Sequence, residues 1–212
     1  MSHVGLGALL VLGGYLAGSI PFGYLLGKAL LGVDVRTLGS GNIGGTNVAR
    51  AGGRTLGIAT ILLDAGKAIV PILVARWLLG DSPRGELLVV LVAVAAFVGH
   101  LFPLFLPPDP RTGRRFHGGK GVATALGIFA VLAPWAAVAG AAVYAIAYGA
   151  TRVSSIGSLT GTVACATVTF LLNGPGRPVS WAGVVLGALV FLRHRENIKR
   201  ILSGEEKRKM RV

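Results

Sequence analysis

Three short stretches of this sequence combine residue types that handle anions. The first, GSGNIGGTNVAR, runs from Gly39 to Arg50. It mixes glycines, whose bare backbone lets amides approach an anion closely, with the Ser40 hydroxyl, the Asn42 amide and the Arg50 guanidinium, which can grip a phosphate bidentately. It lacks the G-x-x-x-x-G-K-[ST] pattern of a nucleotide-binding P-loop. The competing reading is a flexible turn between two helices, although such a turn has no need of two Asn residues and Thr46. The second, HGGKG from His117 to Gly121, opens directly into an apolar stretch beginning at Val122. Amides of Gly118, Gly119 and Gly121 at a helix entry, with Lys120 beside them, would form a second anion site. The third, RHRENIKR, runs from Arg193 to Arg200. On a continuing helix His194 and Asn197 would share a face, and a histidine there can donate to an oxyanion or exchange a proton near neutral pH. Alone, this stretch also fits a basic tail lying on lipid headgroups.

Other polar residues admit plainer roles. Ser154, Ser155 and Ser158 follow Arg152 and could simply cap a helix. Asp64 and Lys67 are i, i+3 neighbours inside an apolar run, so an ion pair is as good a reading as catalysis. His100, within GHLFP, reads as a hydrogen-bonding group between helices. Cys165 stands alone, which excludes an intrachain disulfide. No clustered metal-ligand spacing occurs, and neither a metal nor a cofactor is expected.

The elements that must position these residues are membrane helices. Of the 212 residues 53% are hydrophobic and 14% charged, with a mean hydropathy of +0.71, far from a soluble composition. The 33 glycines follow no collagen period and suit closely packed spans. Runs long enough to cross about 30 Å of hydrocarbon, about 20 helical residues, lie at Val4 to Leu31, Thr55 to Leu79 and Glu86 to Leu106. Gly121 to Tyr148 is apolar throughout but holds Ala133 and Pro134 at its middle, which permits one long helix or two shorter ones. Ile156 to Leu172 and Ser180 to Leu192 are divided by a turn from Asn173 to Pro178. The first run has no basic n-region or cleavage site and reads as a span, not a removable signal.

The net charge of +13 comes from Lys and Arg placed between apolar blocks, a membrane pattern that argues against nucleic acid as a partner. Seven spans, with the N-terminus outside and the C-terminus cytoplasmic, put Arg36, Arg50, Arg54, Arg111, Arg114, Arg115, Lys120, Arg152 and the tail from Arg193 to Arg211 on one side. Arg76, Arg84 and Arg177 then remain on the other, whereas six spans would split the positive charge. The fold expected is an all-α polytopic membrane protein of about seven transmembrane helices, one domain over residues 1–212, without internal repeats.

Taken in order, GSGNIGGTNVAR, GHLFP with HGGKGVAT, and RHRENIKR resemble the bacterial membrane glycerol-3-phosphate acyltransferases that use acyl phosphate, the PlsY family. The opening Gly18 to Gly23 and the Asp64 to Lys67 pair extend the resemblance over nearly the whole chain. It implies transfer of a fatty acyl group from acyl phosphate to the 1-hydroxyl of glycerol 3-phosphate, giving lysophosphatidic acid and phosphate. This is the first acylation of phospholipid synthesis, placed in the bacterial cytoplasmic (inner) membrane. Acyl phosphate, glycerol 3-phosphate and membrane lipid are then the partners, the chain acting as a monomer. Carried over by motif, Ser40, Arg50 and Lys120 would bind phosphate, Asn42 would assist, and His194 and Asn197 would line the glycerol phosphate pocket. Ser40 and His194 are the expected catalytic pair. The family's functional serine after the fifth span fits both Ser155 and Ser158, with slight preference for Ser155.

The segment from Leu106 to His117 is longer than the family's short link, and His117 stands where a Lys is common. Its positive charge would draw anionic substrates. A rival reading as an anion transporter or channel predicts more mid-span polar residues than Asp64, Lys67 and His100. A His-x-x-x-x-Asp acyltransferase dyad is disfavoured, since none of the four histidines has Asp five positions later.

Overall fold

The computed structural model describes residues 3–80 and 82–206, and all regular structure among them is helical. Lys207, Arg208, Lys209 and Arg211 of the expected basic tail lie outside the described residues. The chain divides into two compact units, one through Val131 and one from Leu132.

The first unit holds α1 (His3–Gly18), α2 (Phe22–Leu31), a 3-10 turn (Val35–Thr37), α3 (Gly45–Leu79), α4 (Pro83–Leu101) and nearly all of α5 (Val122–Leu132). The run expected from Val4 to Leu31 is thus two helices. Pro21 cannot donate to a helical ladder and disfavours helical geometry at Ile20, so the chain breaks there. The third run likewise ends as helix at Leu101 and not at Leu106, because Pro103 follows. Small residues bring α1 against α4: a β-carbon on Gly14 would lie 2.7 Å from Val92 O, and one on Gly18 would lie 2.8 Å from Ala96 Cα. Gly127 of α5 approaches Ala65 of α3 as closely. Such contacts bring helix backbones together where apolar side chains gain nothing from leaving water.

The second unit holds α6 (Pro134–Thr151), α7 (Ser154–Asn173), α8 (Pro178–Arg193) and α9 (Arg195–Leu202). Of the two arrangements open for 121–148, the structure takes the broken one: α5 stops before Ala133 and Pro134 starts α6. The turn from Asn173 to Pro178 separates α7 from α8 as expected. Gly140 on α6 and Gly161 on α7 pack face to face, each β-carbon position within 2.9 Å of the other's carbonyl oxygen.

Four helical stretches among the described residues are long and apolar enough to cross a membrane: Gly5–Leu31, Gly45–Leu79, Pro83–Leu101 and Ser154–Asn173. Their outward surfaces carry large apolar side chains such as Leu62, Val70, Leu171 and Trp77, the last 82% exposed. This is the surface of a protein solvated by lipid.

Candidate active site

The residues singled out above lie in both units, the two glycine-rich loops in the first and a separate cluster in the second. In the first unit the chain from Leu38 to Gly44 is a loop, and residues 45–51 already form helix. Arg50 is therefore carried on a short helical turn and not on a flexible linker, and the backbone leaves helical geometry at Gly52 and Gly53 before the long part of α3 begins. Ile43 and Val48 sink into a small core with Val35 and Leu106, which fixes both the loop and this helical turn.

Asn47, 2% exposed, organises the loop. Its Nδ2 donates to Val35 O at 2.8 Å, Asn42 O at 2.9 Å and Leu38 O at 3.2 Å, while its Oδ1 accepts from Ser40 N at 2.9 Å. Asn42 Oδ1 accepts from Gly44 N at 2.8 Å, and Gly41 N donates to Leu38 O at 2.9 Å. Backbone amides were expected to close on an anion here. In the structure the amides of Ser40, Gly41 and Gly44 hold the loop's own shape. Ser40 is exposed, and the Arg50 stem lies over the neighbouring Gly39, its Cδ 3.7 Å from a β-carbon placed there.

Arg36, expected as a loop charge on the membrane surface, is instead 2% exposed. It forms a forked ion pair with Asp34, 2.7 Å at the closest, donates to Pro107 O at 2.7 Å and stacks over Tyr24. Burial pushes the Asp34 carboxyl up, but hydrogen bonds and charge from Arg36, with Lys28 further off, bring it below its usual range.

The second glycine cluster sits on His100. A β-carbon on Gly119 would overlap the His100 imidazole, and one on Gly118 would lie 2.6 Å from Pro103 Cδ. Gly121 has φ +85 with the Phe97 ring 2.5 Å from where a β-carbon would stand, so only glycine fits. Gly118 N donates to Leu101 O at 3.0 Å. The Gly118 amide thus ties the loop to the end of α4. Lys120 is half-buried and Gly121 O accepts the first bond of α5, from Ala125 N. Beneath this loop His100 Nδ1 lies 3.7 Å from Asp64 Oδ1, which pairs with Lys67 Nζ at 2.8 Å. Lys67 also donates to Ile20 O at 2.8 Å, so this pair ties α3 to the bend between α1 and α2.

The second unit holds the other cluster. A helix continuing through His194 was expected; instead His194 is the joint where α8 ends and α9 begins, still three residues before Asn197. It is 2% exposed, and Nδ1 lies 2.8 Å from Val190 O. A carbonyl only accepts, so Nδ1 carries a proton, and in the neutral form of the ring the lone pair would sit on Nε2. Ser155 and Ser158, 6% and 7% exposed, share one face of α7.

Glu206 was missed by sequence reading. The chain leaves α9, turns at Gly204 and returns so that Glu206 Oε1 accepts from Ser155 Oγ at 2.8 Å and from Asn197 Nδ2 at 2.6 Å, while Oε2 accepts from Arg200 Nε at 2.6 Å. Ser155 and Asn197 are thereby brought together through one carboxylate. Asn47 was missed likewise: it was visible in the first motif, but nothing in its type tells a loop-organising amide from a substrate-binding one.

A family model described as Glycerol-3-phosphate acyltransferase matches residues 8–204. Among curated relatives, a Glycerol-3-phosphate acyltransferase of an Anaeromyxobacter species is 66% identical over the full length of both chains. One from Myxococcus xanthus is 49% identical, covering 94% of this chain and 97% of its own. Among solved structures, a crystal structure of PlsY (YgiH), an integral membrane glycerol 3-phosphate acyltransferase in its glycerol 3-phosphate form, aligns with a TM-score of 0.83 and 39% identity over 94% of each chain. Its lysophosphatidic acid form aligns with a TM-score of 0.81.

Proposed function

The chain belongs to the glycerol-3-phosphate acyltransferase family, and we propose that it takes its acyl group from acyl phosphate and releases lysophosphatidic acid and inorganic phosphate. The oxygen of the glycerol 3-phosphate 1-hydroxyl attacks the acyl carbonyl carbon, the carbon–oxygen bond to phosphate breaks, and the hydroxyl proton passes to a base. Acyl phosphate already carries a good leaving group, so no covalent enzyme intermediate is needed. His194 suits the base, its Nδ1–H fixed on Val190 O and its Nε2 basic; the donor's own phosphate is the alternative acceptor. Ser40, Arg50 and Lys120 bind phosphate groups, with Asn42, Gly118, Gly119 and Gly121 shaping their loops. Ser155 or Ser158, together with Asn197, lines the glycerol phosphate pocket.

In this reading the protein crosses the bacterial inner membrane seven times as a monomer, N-terminus outside and C-terminus in the cytoplasm. The acyl chain lies among the helices and both phosphate heads meet the cytoplasmic loops, so confinement of a greasy donor beside a water-soluble acceptor supplies much of the rate. Family membership over nearly the whole chain, spanning both glycine clusters and the segment from His194 to Asn197, carries the reading. Purified protein given glycerol 3-phosphate should make lysophosphatidic acid from acyl phosphate and not from acyl-CoA. Robust turnover with acyl-CoA alone would refute the donor assignment.

A further inference from the structure

The amides of Ser40, Gly41 and Gly44 are engaged within the first motif's loop itself, and the charge that would hold a phosphate there lies on side chains. Arg50 runs its stem past Gly39, with Cδ 3.7 Å from where a β-carbon would stand there. On the other side of Ser40, a β-carbon placed on Gly41 would overlap the Arg111 guanidinium, with Cζ 2.8 Å and Nη1 3.0 Å away. Gly41 has φ +75, a conformation that favours glycine, and the missing side chain leaves the space this guanidinium fills. Ser40 is thus bracketed by two arginines lying on its two glycine neighbours.

Arg111 belongs to the long segment from Leu106 to His117, which is an ordered turn. Asp109, 6% exposed, accepts at its backbone oxygen from Gly113 N at 2.8 Å and at Oδ1 from Arg111 N at 2.8 Å, and Asp109 N donates to Arg114 O at 2.9 Å. Leu106 enters the core beneath the first motif, and Arg36 holds Pro107 O. The segment is therefore fastened at its base to the same core that carries the Ser40 loop. Asp109 Oδ1 also lies 3.8 Å from Arg111 Nε, a loose ion pair that restrains the stem.

We propose that Arg111 is a further substrate-binding residue, a second guanidinium holding a phosphate group at Ser40 opposite Arg50, supplied by the extended segment. This rests on the acyltransferase reading above. Acyl phosphate and glycerol 3-phosphate both present the phosphate dianion it would grip, and kinetics with each substrate varied in turn separate the two.

The test compares wild type, Arg111→Ala, Arg111→Lys and Arg115→Ala in detergent-purified protein, each confirmed folded by its thermal transition. Arg115 is exposed on the same segment and reports what charge alone does at a distance. Loss of one charge-assisted contact made equally in ground and transition states should raise KM about tenfold for the substrate it holds, kcat staying within about twofold. Lys should restore part of the loss, since it keeps the charge but not the fork. An unchanged KM for both substrates in Arg111→Ala would overturn the proposal. So would an equal rise in Arg115→Ala, which would mean general attraction of anions by the segment. Absence of wild-type turnover with acyl phosphate would instead remove the functional reading beneath it.

Discussion

Asn197 Nδ2 donates to Glu206 Oε1 at 2.6 Å, so the end of the described chain folds back onto α9 and, through the same oxygen, onto Ser155 of α7. Glu206 is 7% exposed, and its neighbours in sequence are mostly basic. One carboxylate fixes the orientation of two expected site residues, and that function is separable from chemistry on substrate. Glu206→Ala should lower stability by about 1.5–3 kcal/mol, the range for hydrogen bonds to a charged group, read as a lower thermal transition in detergent. Glu206→Gln, which keeps an acceptor but loses the negative charge facing Arg200, should lose less. A Glu206→Ala protein that melts like wild type yet fails to turn over would assign Glu206 to the substrate instead.

The same carboxylate gives a pH dependence. Burial pushes it up, while hydrogen bonds from Asn197, Arg200 and Ser155 and the Arg200 charge push it down further, so it titrates below its ordinary 4.5. A lowered folded-state pKa means the contribution is complete above that ordinary value and is lost as the pH falls through the depressed one. The thermal transition of wild type should therefore drop more than that of Glu206→Gln between pH 5 and about pH 3. Parallel pH profiles would sink this assignment.

Much of this architecture was legible in the residues themselves. Apolar runs located the helices, and Pro134 and the turn from Asn173 to Pro178 marked real breaks, because proline acts on its immediate neighbours and needs no tertiary context. Pro21 and Pro103 carried the same local signal, yet the runs around them were read as continuous on hydropathy. The three motifs were found by composition. What their backbone amides do was not, because the partners of Ser40 N and Gly118 N are set by Asn47 and by the end of α4, and composition does not report pairing. Glu206 was out of reach for a related reason: a glutamate in a basic tail looks solvated until the turn at Gly204 brings it back.

Asp64 and Lys67 form an ion pair buried in α3. Removing one partner strands the other charge, so Asp64→Ala or Lys67→Ala should each cost about 3–5 kcal/mol. Replacing both with apolar residues should cost less than the sum of the singles. A double-mutant cycle on thermal stability reads this directly; strictly additive losses would show that the pair is not coupled.

Asn47 should behave as a positioning residue. Asn47→Ala removes three donations and one acceptance at once and leaves Val35 O and Ser40 N without their partner. The expected result is a folded protein whose kcat/KM falls by about two orders of magnitude, the scale for a misplaced site residue. Asn47→Asp should fare no better, since its carboxylate cannot donate to Val35 O, Leu38 O or Asn42 O. Near-normal activity in either variant would mean that the loop holds its shape without this side chain.

His194 offers the sharpest separation of roles, because its two ring nitrogens have different tasks. Nδ1 donates to Val190 O, which in the neutral ring puts the lone pair on Nε2. Asn can mimic the Nδ1 donor with its amide nitrogen but supplies no titratable base, so His194→Asn should keep the bend between α8 and α9 while removing proton transfer. General-base catalysis contributes typically 10²–10⁴-fold. His194→Asn should therefore lose about that much in kcat with a thermal transition close to wild type, whereas His194→Ala should also lower the transition. If His194→Asn keeps kcat within about tenfold, below the range a base supplies, the proton goes to the donor phosphate and the histidine serves to hold the substrate.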